Sequence, residues 1–226
     1  YDEAQDLILP KAWPPTPEVQ QAIDRYIAER GQKAWQAAVG KGQYKHADGV
    51  FFGGQAPTWS NHTIRKVLRQ HGAKVRKLAW IDFHTGLGPN GYGERIFTGP
   101  HDAAMLARAR RWWDGGGATP VTSLDDGSSS SPPLTGLLWN SAVQECPQAE
   151  FTGIALEYGT VPVLETTAAI CADHWVHNHL DAPAAQRAAI HQQVRAAFYD
   201  ESDAWKGQII SQARQAMFQA VDGLTA

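Results

Sequence analysis

Apolar residues fall along this chain in two rhythms. In "TPEVQQAIDRYIAER" the residues Val19, Ile23, Tyr26 and Ile27 share one side of a 3.6-residue period, with Thr16 placed to cap and Pro17 at the first helical position. That stretch predicts a helix. "TWSNHTIRKVLRQHG" predicts another, from about Asn61 to His71 and closed by Gly72. Further helices are expected over Pro100 to Trp113, Val163 to His179, Pro183 to Phe198, and Glu201 to about Val221. Elsewhere the apolar positions run together. Lys77 to Thr85 and Phe151 to Tyr158 are short, nearly continuous apolar stretches, as in strands covered on both faces. The stretch up to Pro17 is proline-rich and irregular, and Gly40 to Pro57 reads as loop with "DGVFFGG" as a short extended piece. "LDDGSSSSPP", Leu124 to Pro133, reads as a polar surface loop that could serve as a lid. Strands alternating with helices predict an α/β fold, a central mixed sheet flanked by helices.

Composition narrows the picture only a little. The 226 residues suffice for one sizeable core, or two small ones. With 20 basic and 23 acidic residues, the net charge of −3 points to no nucleic-acid or membrane partner. No apolar run approaches the ~20 residues that cross a bilayer. "IRKVLRQHGAKVRK" is locally basic, either a solvated helix end or a patch that attracts an anionic substrate. Nine tryptophans suggest aromatic pocket walls as well as core packing. Cys146 and Cys171 share no spacing motif, so a reducing, cytoplasmic compartment is expected.

The chemistry-bearing residues gather at the strand ends. "IDFHTG" and "ALEYGT" each end an apolar run on a polar side chain followed by glycine. In an open α/β sheet ligands collect outside the carboxyl ends of strands, so His84 and Glu157 are expected over one crevice. Glycines from Gly86 to Gly93 would let backbone approach a ligand closely. A buried strand-end Glu157 should be paired, metal-linked or functional; a salt-bridged core carboxylate and a hydrogen-bonded structural His84 are the plainer alternatives. Asp82 lies two positions before His84 and therefore on its face, where it could fix the imidazole's tautomer.

Glu94 could tie the glycine loop down. Arg95 beside it, or Arg65 in the basic helix, could hold a substrate carboxylate unless they are ordinary surface arginines. Tyr92 and Tyr158 could donate to an oxyanion, although a regular strand would point Tyr158 away from Glu157. A rival metal cluster is Cys171, His174, His177 and His179 in "CADHWVHNH". Ser128 to Ser131 lie in the polar loop and no Gly-x-Ser-x-Gly elbow occurs.

Taken together, "HADGVFFGGQAPTWSNHTIRKVL", "IDFHTGLGPNGYGE", "ALEYGTVPV" and "DAWKGQIISQARQAMFQAV" resemble an uncharacterised bacterial family related to the zinc carboxypeptidases. Aspartoacylase and succinylglutamate desuccinylase are its nearer relatives in mechanism. The resemblance implies a zinc-carboxypeptidase-like fold, with His84 similar to the third zinc ligand and Glu157 to the catalytic glutamate. It implies zinc-dependent hydrolysis of an amide bond in a peptide or N-acyl amino acid that bears a carboxylate.

One departure is serious. The superfamily's His-x-x-Glu pair occurs nowhere in these residues. The sequence is therefore read as 1–226 of the C-terminal portion of a single domain whose N-terminal zinc-ligand segment is absent. Alone, such a chain is expected to be inactive unless that segment is supplied, even as a separate chain. The alternative is a metal-free binding or structural module, a pseudoenzyme that keeps the crevice.

Overall fold

The computed structural model describes residues 1–97, 99 and 102–226. In chain order the elements are α1 (Gln5–Ile8), α2 (Pro17–Arg30), α3 (Gln32–Gly40), α4 (Trp59–Gly72), β1 (Lys77–Asn90), β2 (Gly93–Phe97), α5 (Ala103–Trp113), β3 (Val121–Ser123), α6 (Asn140–Glu145), β4 (Glu150–Gly159), α7 (Val163–Asn178), α8 (Ala184–Phe198) and α9 (Asp203–Thr225). The chain divides into two compact units, one of Tyr1–Gln55 with Thr160–Asp200 and one of Ala56–Gly159 with Glu201–Ala226. No described helix is long and apolar enough to cross a membrane.

The first unit is helical. Thr16 caps α2 as its sequence predicts, and Ile23, Tyr26 and Ile27 pack against a core of Ile8, Trp35, Val39, Val50 and Cys171. A second small core, with Trp175, Val176 and Ile190, joins α7 to α8. Helix α3 was not expected. Its Gly31 cap has no side chain to announce a helix, and "QKAWQAAVG" carries few of the usual start signals. "DGVFFGG" is not a strand. It turns, and only Phe52 bridges to Gln43.

The second unit holds the sheet, in the order β1-β4-β2-β3. β1 runs parallel to β4, β2 antiparallel to β4, and β3 parallel to β2. The α/β architecture, a mixed sheet flanked by helices, is thus the one the sequence predicts. On one face α5 and α9 pack together, with Trp113 Nε1 donating to Ala216 O at 2.9 Å and Arg108 Nε donating to Thr152 Oγ1 at 2.7 Å. Leu68 of α4 and Cys146 join Phe151 in the same core. Both cysteines are buried and free.

Several expected boundaries move. α4 starts at Trp59 rather than Asn61, because Thr58 is the cap and accepts from Asn61 N. β1 continues through the glycines to Asn90 instead of stopping at Thr85. The start of the helix expected over Pro100 to Trp113 lies outside the described residues at Pro100 and His101.

Candidate functional site

Strand register builds the site. His84 pairs with Glu157 across the parallel β1–β4 ladder, and Glu94 pairs with Glu157 across the antiparallel β2–β4 ladder. Residues directly opposite one another project to the same face, so Asp82, His84, Glu157 and Glu94 share one side at the carboxyl end of β1 and β4. The sequence therefore placed His84, Asp82 and Glu157 together correctly. Glu94 in that group was not foreseen.

His84 Nε2 lies 3.2 Å from Asp82 Oδ1, and the imidazole remains 48% exposed. The bond to Asp82 holds the His84 pKa above its ordinary value of 6.5, against the opposing effect of burial. Glu157 is only 8% exposed. Burial pushes its carboxyl up from 4.5 to about 7, opposed by His84 and by the Leu87 amide, and reinforced by Glu94 and Asp82. The bond from Leu87 N to Glu157 Oε1 spans 3.3 Å. The glycines make it possible. Gly86 and Gly88 flank Leu87 with φ of 126° and 92°, a backbone path that side-chain-bearing residues rarely follow. The register break between Thr85 and Asn90 is this same excursion.

Glu94 is buried and ties down the serine-rich loop rather than the glycine loop. It accepts from Thr122 Oγ1 at 2.6 Å, from Ser130 N at 3.1 Å and from Ser130 Oγ. Ser128 Oγ also accepts from Ser123 N at 3.0 Å, so the segment expected to be a lid is anchored to β2 and β3. Its alternation within "GERIF" was the available signal: in a five-residue strand Glu94 and Arg95 must face opposite sides.

Three expected roles need correction, those of Arg95, Tyr158 and Arg65. Arg95 projects to the other face, is 1% exposed and donates from Nη2 to Gln215 Oε1 at 3.2 Å, so it does not reach His84 and Glu157. Tyr158 points away from Glu157 too, donating to Ile209 O at 3.1 Å, with burial raising its pKa to about 12. Arg65 is spent on Glu145 at 2.8 Å and on Gln144 and Asn61. Tyr92 is 41% exposed and lies within electrostatic reach of Arg95.

The rival cluster does not converge. Cys171 is buried in its own core, His174 Nε2 lies 2.6 Å from Asp48 O, His177 faces Asp173, and His179 stacks on Trp175. Among the described residues, no three His, Cys, Asp or Glu side chains stand grouped to hold a metal ion.

Arg95 has a stability consequence. Its Nε is buried without a partner, no described carboxylate pairs with it, and burial lowers its pKa. Gln215 lies at the surface, so it can turn to water if the guanidinium is lost. Arg95→Met fills similar volume without a buried charge and is expected to raise stability by about 1–2 kcal/mol in urea unfolding.

No curated protein and no solved structure matches the chain. Residues 1–212 match the family model described as "Protein of unknown function (DUF2817)", and the chain belongs to that family.

Proposed function

We propose that the strand-end crevice is part of a zinc-dependent amide hydrolase, related in mechanism to the zinc carboxypeptidases and the N-acyl amino acid deacylases. The carrying observation is the register that sets a half-exposed imidazole beside a buried carboxylate of raised pKa. His84 suits zinc as a neutral imidazole whose Nε2–H is taken by Asp82, leaving Nδ1 as the ligating nitrogen. These residues fit one corner of a three-ligand centre. The two other ligands this reading requires, a His-x-x-Glu pair, do not occur in this sequence and would have to be supplied to the site.

Bound there, zinc would supply an acidified water. Glu157 is suited to the proton work: a carboxyl poised near pH 7 can accept a proton at neutral pH and return it to a leaving amine nitrogen. The Leu87 amide fixes the carboxylate's orientation while it does so. A substrate carboxylate, which the family resemblance implies, would need an anchor other than Arg95 or Arg65, and two free cysteines suit a cytoplasmic setting. Among the described residues His84 is the one imidazole grouped with Asp82 and Glu157, which also favours a second reading, a metal-free binding module.

Zinc titration separates the two. In protein that includes the His-x-x-Glu pair, zinc should bind and N-acyl amino acids should be hydrolysed. Asp82→Ala is expected to weaken zinc affinity roughly 10–100-fold, and His84→Ala further. Undiminished zinc affinity in His84→Ala would remove the metal reading and leave the binding module.

A further inference from the structure

The helical unit contains its own cavity of about 420 Å³, a volume within the range of small-molecule sites. Ile170, Val194 and Phe198 give it apolar walls, with Phe51 at the edge and Asp173 and His177 as its polar side. Its lining holds one carboxylate and, among the described residues, no lysine or arginine.

That carboxylate is held in place from two helices. Asp173 Oδ1 lies 3.1 Å from His191 Nδ1 on α8, and Oδ2 lies 3.5 Å from His177 Nε2 one turn along α7. A carboxylate offers about four lone-pair directions, so two imidazole neighbours leave acceptor capacity facing the cavity. His174, also in the lining, is engaged elsewhere, by Asp48 O and Asn178.

Phe51 is the second observation. It has φ of 52°, the left-handed conformation that a bulky residue avoids because its Cβ crowds the backbone. The turn enforces it: Gln43 N donates to Phe51 O at 3.2 Å, Gly53 N to Gln43 O at 2.8 Å, and Val50 N to Tyr1 Oη at 2.8 Å. The result is a phenyl ring left 50% exposed beside the cavity rather than packed away. Strain of this kind persists where surrounding bonds over-determine it, as in ligand clamps.

We propose that this cavity binds a small organic ammonium ion, an aromatic or branched aliphatic primary amine, with Asp173 as counter-ion and Phe51 and Phe198 against its apolar body. An anionic ligand would meet Asp173 without a basic side chain to offset it. An ammonium gains the carboxylate, while its apolar body lies against the aromatic lining.

The probes are phenethylamine and phenylacetate, matched in size and opposite in charge, titrated by ligand-observed NMR at pH 8. Phenethylamine is expected to bind roughly tenfold more tightly, the scale of one hydrogen bond to a charged group. Asp173→Asn should erase that preference. Val194→Trp should fill the cavity and abolish binding of both. Phe51→Gly relieves the strained φ, so it should fold at least as well as wild type while weakening amine binding severalfold. Phenylacetate binding as tightly as the amine, or amine binding that survives Asp173→Asn and Val194→Trp, would overturn the proposal. His84→Ala should leave every one of these affinities unchanged.

Discussion

Glu157→Gln is expected to stabilise the protein at pH 8 and, under the proposed hydrolase reading, to slow hydrolysis. The folded protein holds the Glu157 proton up to about pH 7, whereas the free carboxyl releases it near 4.5. Between those values the folded state binds more protons than the unfolded chain, so wild-type stability falls as pH rises through that window. At pH 8 the buried charge then costs about 3 kcal/mol. Glutamine carries no charge at either pH and still offers Oε1 to the Leu87 amide. Urea unfolding with chelator present should therefore show Glu157→Gln more stable by up to about 3 kcal/mol at pH 8, with little difference near pH 4.5.

His84 also has a raised pKa, so its contribution is complete below 6.5 and is likewise lost as pH rises through the folded value. It owes that shift first to Asp82, which the variant leaves intact. In metal-loaded protein carrying the full ligand set, the same substitution should lower kcat roughly 10²–10⁴-fold, since an amide cannot take the proton. Stability and activity moving in opposite directions is the signature of a carboxylate kept for chemistry rather than for folding. Equal stability differences at the two pH values would show that the Glu157 carboxyl is not the group burial perturbs.

How much of this was legible follows from where the signals are local. The β1 and β4 cores announce themselves as continuous apolar runs, and the polar residues that end them, His84 and Glu157, are set side by side by ladder register alone. The α2 cap is equally local. β2 was not legible, because "GERIF" interrupts its apolar residues with two charges, one for each face of the sheet. Those charges also misled the reading of Arg95, where a flexible loop suggested exposure but a five-residue buried strand fixed its direction. Two of the three partners of Arg65 lie about eighty residues on in sequence, at Gln144 and Glu145, beyond the reach of any periodicity. Phe51 belongs to the same class: nothing in "DGVFFGG" says which residue must take the left-handed turn.

Glu94→Ala is expected to cost about 2–3 kcal/mol, because one buried carboxylate supports three hydrogen bonds and charge-assisted bonds are the stronger kind. Thr122 Oγ1, Ser130 N and Ser130 Oγ all lose their acceptor. Ser130 is exposed and can turn to water, but Ser129 beside it is buried, so the serine-rich segment should loosen from β2 and β3. Hydrogen exchange of the Ser129 and Ser130 amides should accelerate more than exchange in β4. The substitution has a second effect at a distance of one strand. Glu94 stands opposite Glu157 and is one of the charges that raise its pKa. Removing it should bring the Glu157 midpoint below about 7 and shrink the stability lost between acid and neutral pH. In a double-mutant cycle Glu94→Ala and Glu157→Gln should then be non-additive: Glu157→Gln should stabilise less at pH 8 when Glu94 is already gone. Strict additivity would mean that the two carboxylates share a sheet face without sensing each other's charge, and the site's raised proton affinity would rest on burial alone.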